Sequence, residues 1–136
     1  MKIFIVEDSA IMRGRLIELL STLREAEITG FSGMPGEAVE MIRAIRPDVI
    51  ILDIQLYGGS GIDVLQKVKA ELPWVHVMVL TNFPEDAIRS QCKQLGADYF
   101  LDKSFEFDVI LDAIISMEGN VREGKKQACN TPSDYH

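Results

Sequence analysis

The stretch Val49–Gly61 reads VIILDIQLYGGSG. Val49 to Leu52 are all apolar, Asp53 follows at once, and glycines stand at Gly58, Gly59 and Gly61. A run this apolar, with no polar alternation, fits a strand covered on both faces. A carboxylate at its end is costly unless partners meet it there.

Comparable runs occur along the chain: KIFIV (2–6), EITGF (27–31), DVIIL (48–52), HVMVL (76–80) and DYFL (98–101). Between them the apolar residues take helical spacing. Ser9 is placed to cap a helix carrying Met12, Leu16, Leu19, Leu20 and Leu23. Ala38, Met41, Ile42 and Ile45 line one helical face, and Ile62, Leu65 and Val68 another before Pro73. Ile88, Cys92 and Leu95 precede Gly96, a good stop signal, and Phe107, Ile110, Leu111, Ile114 and Met117 close the series. Strands alternating with helices predict an α/β, three-layer fold with a parallel sheet and helices on both faces. The polar remainder, GNVREGKKQACNTPSDYH, has no periodicity. The expected organisation is one domain over residues 1–118, with a tail or linker over 119–136.

Composition narrows the function. The 136 residues carry a formal charge of −7, so a phosphate backbone would repel the chain, and direct nucleic-acid binding is not expected. VREGKK is a small basic cluster confined to the tail. No apolar run approaches the roughly 20 residues of a membrane span, and the first residues lack a signal-peptide core. A cytoplasmic protein is expected. Cys92 and Cys129, like His76 and His136, have no metal-ligand spacing.

In such sheets, chemistry gathers at the carboxyl ends of the strands. The first run leads into Glu7 and Asp8, the third into Asp53, the fourth into Thr81 and the fifth into Lys103. The second contributes nothing obvious. If the first and third strands adjoin, about 4.8 Å apart, Asp8 and Asp53 face each other with Glu7 beside them. Like charges at ~4 Å repel by about 4 kcal/mol at an effective dielectric of about 20, so the cluster needs a cation or takes up protons. Hard oxygen ligands with room for water suit Mg²⁺. Lys103, about 10 Å of backbone away, brings an ammonium suited to a carboxylate or phosphoryl oxygen. Thr81 offers a hydroxyl between them. These groups together suit phosphoryl transfer onto Asp53. Taken singly, each has a plainer reading: helix N-terminal acids, a loop-capping aspartate, a strand threonine, a solvated lysine.

The ordered set IVEDS, VIILDIQLYGGSG, VMVLTN and GADYFLDKS resembles the receiver domain of two-component response regulators, over about Met1 to Met117. The resemblance implies a flavodoxin-like (βα)5 fold with strand order 2-1-3-4-5, the order shared by flavodoxin and a chemotaxis receiver. It implies Asp53 as phosphoacceptor, Glu7 and Asp8 as the acidic Mg²⁺ pair, and the backbone carbonyl of Gln55 as a further ligand. It also implies Thr81 as switch hydroxyl, Lys103 as the site lysine, and Phe100, not Tyr99, as switch aromatic. As a plain core aromatic of the fifth strand, Phe100 would need no such role.

The chain departs from the family pattern at Ser104, where proline after a cis peptide is common; at Tyr57, where Pro-Gly is common; and at Asn82, where a small residue is common. A cis bond before a non-proline residue costs about 2.5–4 kcal/mol, so the loop at Ser104 stays open.

The implied activity is phosphoryl transfer from a histidine kinase or phosphotransfer protein to Asp53. Thr81 then moves toward the phosphoryl group and Phe100 turns inward. The fourth helix, fifth strand and fifth helix would be repacked, and that surface could form a homodimer. The chain would catalyse its own phosphorylation and dephosphorylation, with Gln55 and Phe83 flanking the path of water. Two rivals remain beside it. A pseudo-receiver would dock partners without phosphate. An aspartyl-nucleophile phosphatase usually has a second acid where this chain has Gln55. Flavin binding would need a different loop after the first strand than EDSAIM. The output is either protein contact by a stand-alone receiver or a separate, often DNA-binding, module.

Overall fold

Each β-branched run is a strand and each amphipathic segment a helix in the computed structural model, which describes residues 1–56, 58–82, 85–103 and 107–124. In chain order these are β1 (Lys2–Val6), α1 (Ala10–Leu20), β2 (Glu27–Ser32), α2 (Pro35–Ile45), β3 (Val49–Asp53), β4 (Gln55–Leu56), β5 (Gly59–Ser60), α3 (Gly61–Glu71), β6 (His76–Thr81), α4 (Asp86–Gln94), β7 (Tyr99–Asp102) and α5 (Phe107–Gly124).

The main sheet has five strands in the order β2-β1-β3-β6-β7, and all its pairings are parallel. Numbered within this sheet alone, that is the 2-1-3-4-5 order the sequence implied. All of β3 is buried. Along each inner strand the side chains alternate between two cores. Phe4, Val6, Leu52, Val79 and Phe100 meet Ile42, Val64, Leu65 and Cys92 of α2, α3 and α4. Ile3, Ile5, Ile51, Met78 and Leu101 meet Leu16 and Leu20 of α1 and Ile110, Ile114 and Met117 of α5. Burying each aliphatic side chain contributes about 1.5–3 kcal/mol, so four of them on β3 can carry the several kcal/mol that desolvating one carboxylate costs.

Local chemistry sets the helix ends. Ser9 caps α1, its Oγ accepting from the Met12 N–H at 3.2 Å, and Ser60 caps α3 by accepting from the Ile62 N–H at 3.1 Å. Pro35 opens α2, and Arg46 closes it in the left-handed region at φ 53°. Two features differ from the sequence reading. The loop after Asp53 is a small antiparallel ladder of β4 and β5, and α5 continues to Gly124, past the boundary at 118. Among the described residues, no helix is long and apolar enough to cross a membrane. Tyr57, Phe83, Ser104 with its preceding peptide bond, Cys129 and His136 lie outside the described residues.

Candidate functional site

The register brings the acids together. β1 pairs with β3 through Val6 and Leu52, so Glu7 and Asp53 lie one residue farther along adjoining strands. One carboxylate oxygen from each of Glu7, Asp8 and Asp53 lies within 4.8 Å of the others. Glu7 and Asp53 are 1% and 3% exposed, whereas Asp8 is open to solvent. Glu7 Oε1 is buried and accepts no well-formed hydrogen bond, although the Lys103 ammonium lies 2.7 Å from it as an ion pair. A buried carboxylate oxygen with capacity to spare, in an all-oxygen set, fits a hard divalent cation.

Burial pushes the Glu7 carboxyl up to about 7; the contact with Lys103 pulls it down, and the Asp53 charge adds to the rise. Its other oxygen, Oε2, accepts from the Ser9 N–H at 3.1 Å. Asp53 Oδ1 accepts from the Gln55 N–H at 3.0 Å, and Oδ2 from the Lys103 ammonium at 3.0 Å.

Lys103 spans β6 to reach the acids from just past β7. Its side chain is 11% exposed, and its N–H donates to the Thr81 carbonyl at 2.8 Å, which fixes the start of the reach. Burial alone would lower the pKa of this ammonium, but the Glu7 and Asp53 carboxylates outweigh it and raise the value. Thr81 ends β6 fully buried. The Phe100 ring is also fully buried, so it already lies inward, with the Arg89 guanidinium 4.8 Å from its centroid.

Several supporting residues escaped the sequence reading. β2 does contribute: the Ser32 carbonyl accepts from the Glu7 N–H at 3.0 Å, and the Ser32 hydroxyl donates to Glu37 Oε1 at 2.7 Å. Arg13 donates to the Glu7 carbonyl at 2.9 Å and stacks on Phe31. Gly61 packs so closely that a Cβ there would fall on the Asp53 carbonyl oxygen. Only the run of glycines at Gly58, Gly59 and Gly61 hinted at that last contact. Nothing in the sequence marked Arg13 or Ser32.

The chain matches the response regulator receiver domain over residues 3–115. It is 30% identical over 105 residues to the DNA-binding transcriptional activator DevR/DosR of Mycobacterium tuberculosis, covering 77% of this chain and 48% of that protein. It resembles the solved signal receiver domain of NarL from Mycobacterium tuberculosis with a TM-score of 0.79 and 29% identity, covering 87% of this chain and 96% of the other. The response regulator domain of Thermotoga maritima CheB gives a TM-score of 0.78 at 25% identity, covering 95% and 98%. The chain spans about half the length of the curated relatives it matches. With the parallel sheet order and the acid cluster at its rim, these matches establish that the chain belongs to the response regulator receiver domain family.

Proposed function

We propose that this receiver takes a phosphoryl group onto Asp53 from the phosphohistidine of a histidine kinase or phosphotransfer protein. The observation that carries the reading is the Asp53 carboxylate, buried on a rigid strand, with Lys103 at 3.0 Å and the Glu7 and Asp8 oxygens within 4.8 Å. In the transfer, an Asp53 oxygen forms the new O–P bond as the P–N bond to histidine breaks, and the imidazole leaves with the bonding pair. The Gln55 N–H holds Asp53 Oδ1, which orients the carboxylate for in-line attack. The Lys103 ammonium sits where negative charge collects on the transferred group. Glu7, Asp8, Asp53 and the Gln55 carbonyl would hold Mg²⁺, which when bound offsets the charge of the incoming phosphoryl group.

Thr81 then serves as the switch hydroxyl and Phe100 as the aromatic that follows it. The inward ring favours one arrangement of α4, β7 and α5, and phosphorylation shifts the population toward it. That face of α4, β7 and α5 is the proposed homodimer surface. Relatives described as transcriptional regulators support control of a DNA-binding output. The receiver itself is assigned to residues 1–118, with 119–136 leading toward such an output.

The test is incubation with acetyl phosphate and Mg²⁺, read by intact mass. The chain should gain one phosphoryl group, and Asp53→Asn should gain none. Labelling of Asp53→Asn at the unmodified rate would refute the assignment. An unmodified chain that takes no phosphate would favour the phosphate-independent docking module instead.

A further inference from the structure

Phe100 and Thr81 belong to one face of the sheet. Val79 is the β6 partner of Phe100, and Thr81 lies two residues beyond Val79, so both side chains point toward the layer that holds α4. That helix is thinly anchored: Cys92 is its one fully buried residue among those described. The Arg89 guanidinium, half-buried, lies 4.8 Å from the Phe100 centroid. We propose that Arg89 is a positioning residue that latches Phe100 inward and tethers α4 to the sheet through the same stack.

The physics joins two events in one contact. A guanidinium over a ring face is held by the ring quadrupole, more strongly where water is excluded, and Phe100 is fully buried. Its aliphatic stem can cover the ring while its remaining N–H groups stay reachable by polar partners. Turning the ring outward breaks the stack and exposes the aromatic surface together. Because Arg89 rides on α4, any shift of α4 alters the ring equilibrium, and the ring alters α4 to the same degree. Arg89 thereby biases the domain toward the inward arrangement before a phosphoryl group arrives. The inference rests on the switch role given to Phe100 above.

The test places para-fluorophenylalanine at Phe100 and reads inward and outward ring populations by fluorine NMR, without phosphate. Arg89→Met, which keeps the stem and removes the charge, should move the inward-to-outward ratio about two- to fivefold toward outward. Arg89→Lys should fall between, because an ammonium also sits over a ring. The latch is overturned if both variants keep the unmodified ratio. It is equally overturned if they lower the thermal midpoint without moving the ratio, or if no outward population appears in either. Acetyl phosphate labelling of the unmodified chain runs in parallel. Failure there removes the phosphotransfer reading, while the ring ratio, read without phosphate, still decides the latch.

Discussion

Gly61 governs how closely the loop after Asp53 can return to the strand that bears it. A Cβ at Gly61 would fall on the Asp53 carbonyl oxygen and lie 2.9 Å from Ile54 Cα, both backbone atoms that cannot swing aside. Gly61→Ala should therefore cost about 1–3 kcal/mol by denaturant titration and slow acetyl phosphate labelling, because the displaced atoms carry the nucleophile. Gly14, within α1, has open space around its Cβ position, so Gly14→Ala should instead stabilise by about 0.5–1 kcal/mol. Equal effects of the two substitutions would contradict the close-approach argument. Glu7 gives a pH prediction. Its carboxyl is raised to about 7 by burial, so the folded chain binds a proton there that the unfolded chain has lost. Its contribution to stability is present at acid pH and disappears as pH rises through about 7. Divalent ion binding needs the ionised form, so Mg²⁺ affinity by calorimetry should rise about tenfold between about pH 6 and 8. Glu7→Gln should flatten that rise. Asp53, Lys103 and the acid pair were legible because each follows a strand directly. Ser32 and Arg13 were not, because what they hold is the Glu7 N–H and carbonyl, backbone atoms that any sequence supplies, and Gly61 was marked only by its place among the loop glycines.

At the level of elements, the end of the sheet away from the acids is held by a polar clasp. Lys69 of α3 donates to the Val75 carbonyl at 2.6 Å and to Asp98 Oδ2 at 3.2 Å. The same Asp98 oxygen accepts from the Val77 N–H at 2.8 Å, and the His76 ring stands 3.7 Å from Oδ1. Burial alone would raise the Asp98 pKa, but His76, Lys69 and the Val77 N–H together lower it. A depressed carboxyl pKa stabilises the fold above the unfolded value, and that contribution is lost as pH falls through the folded value. Asp98→Ala should cost about 1–3 kcal/mol at neutral pH, since it leaves the Val77 N–H without its acceptor and takes the carboxylate from the part-buried Lys69 ammonium, and the deficit should shrink in acid. A deficit constant from neutral to strongly acid pH would show that packing, not charge, sets it. The inner strands β1, β3 and β6 were readable from their apolar runs because both faces are covered. The shift of register between β1 and β2 at Ile3/Phe4 was not. It turns on Thr29 donating to the Ile3 carbonyl at 3.1 Å and on Gly30 lying against the Phe4 ring, contacts made between strands far apart in sequence. The extension of α5 to Gly124 was missed because the sequence beyond Met117 carries no apolar periodicity for a helix reading to follow.

Over the whole molecule, charge and core divide the labour. A net charge of −7 works against contact with a phosphate backbone, while the apolar side chains of the two cores hold sheet and helices together. The core bounds the unit that must fold. Met117 of α5 is fully buried in the core shared with the sheet and α1 and is the last described side chain in either core. A chain ending at Glu118 should thus keep one cooperative transition and accept phosphate at Asp53, because it retains every described core contact and the whole acid cluster. Ending the chain at Ser116 removes Met117 and should lower stability by about 2–5 kcal/mol, with phosphorylation surviving wherever the fold does, since the site is built from the opposite ends of other elements. Denaturant titration of both truncations, alongside acetyl phosphate labelling, separates the two demands. If the chain ending at Glu118 unfolds in two steps or loses labelling, residues 119–124 of α5 belong to the receiver, and its boundary moves to the end of that helix.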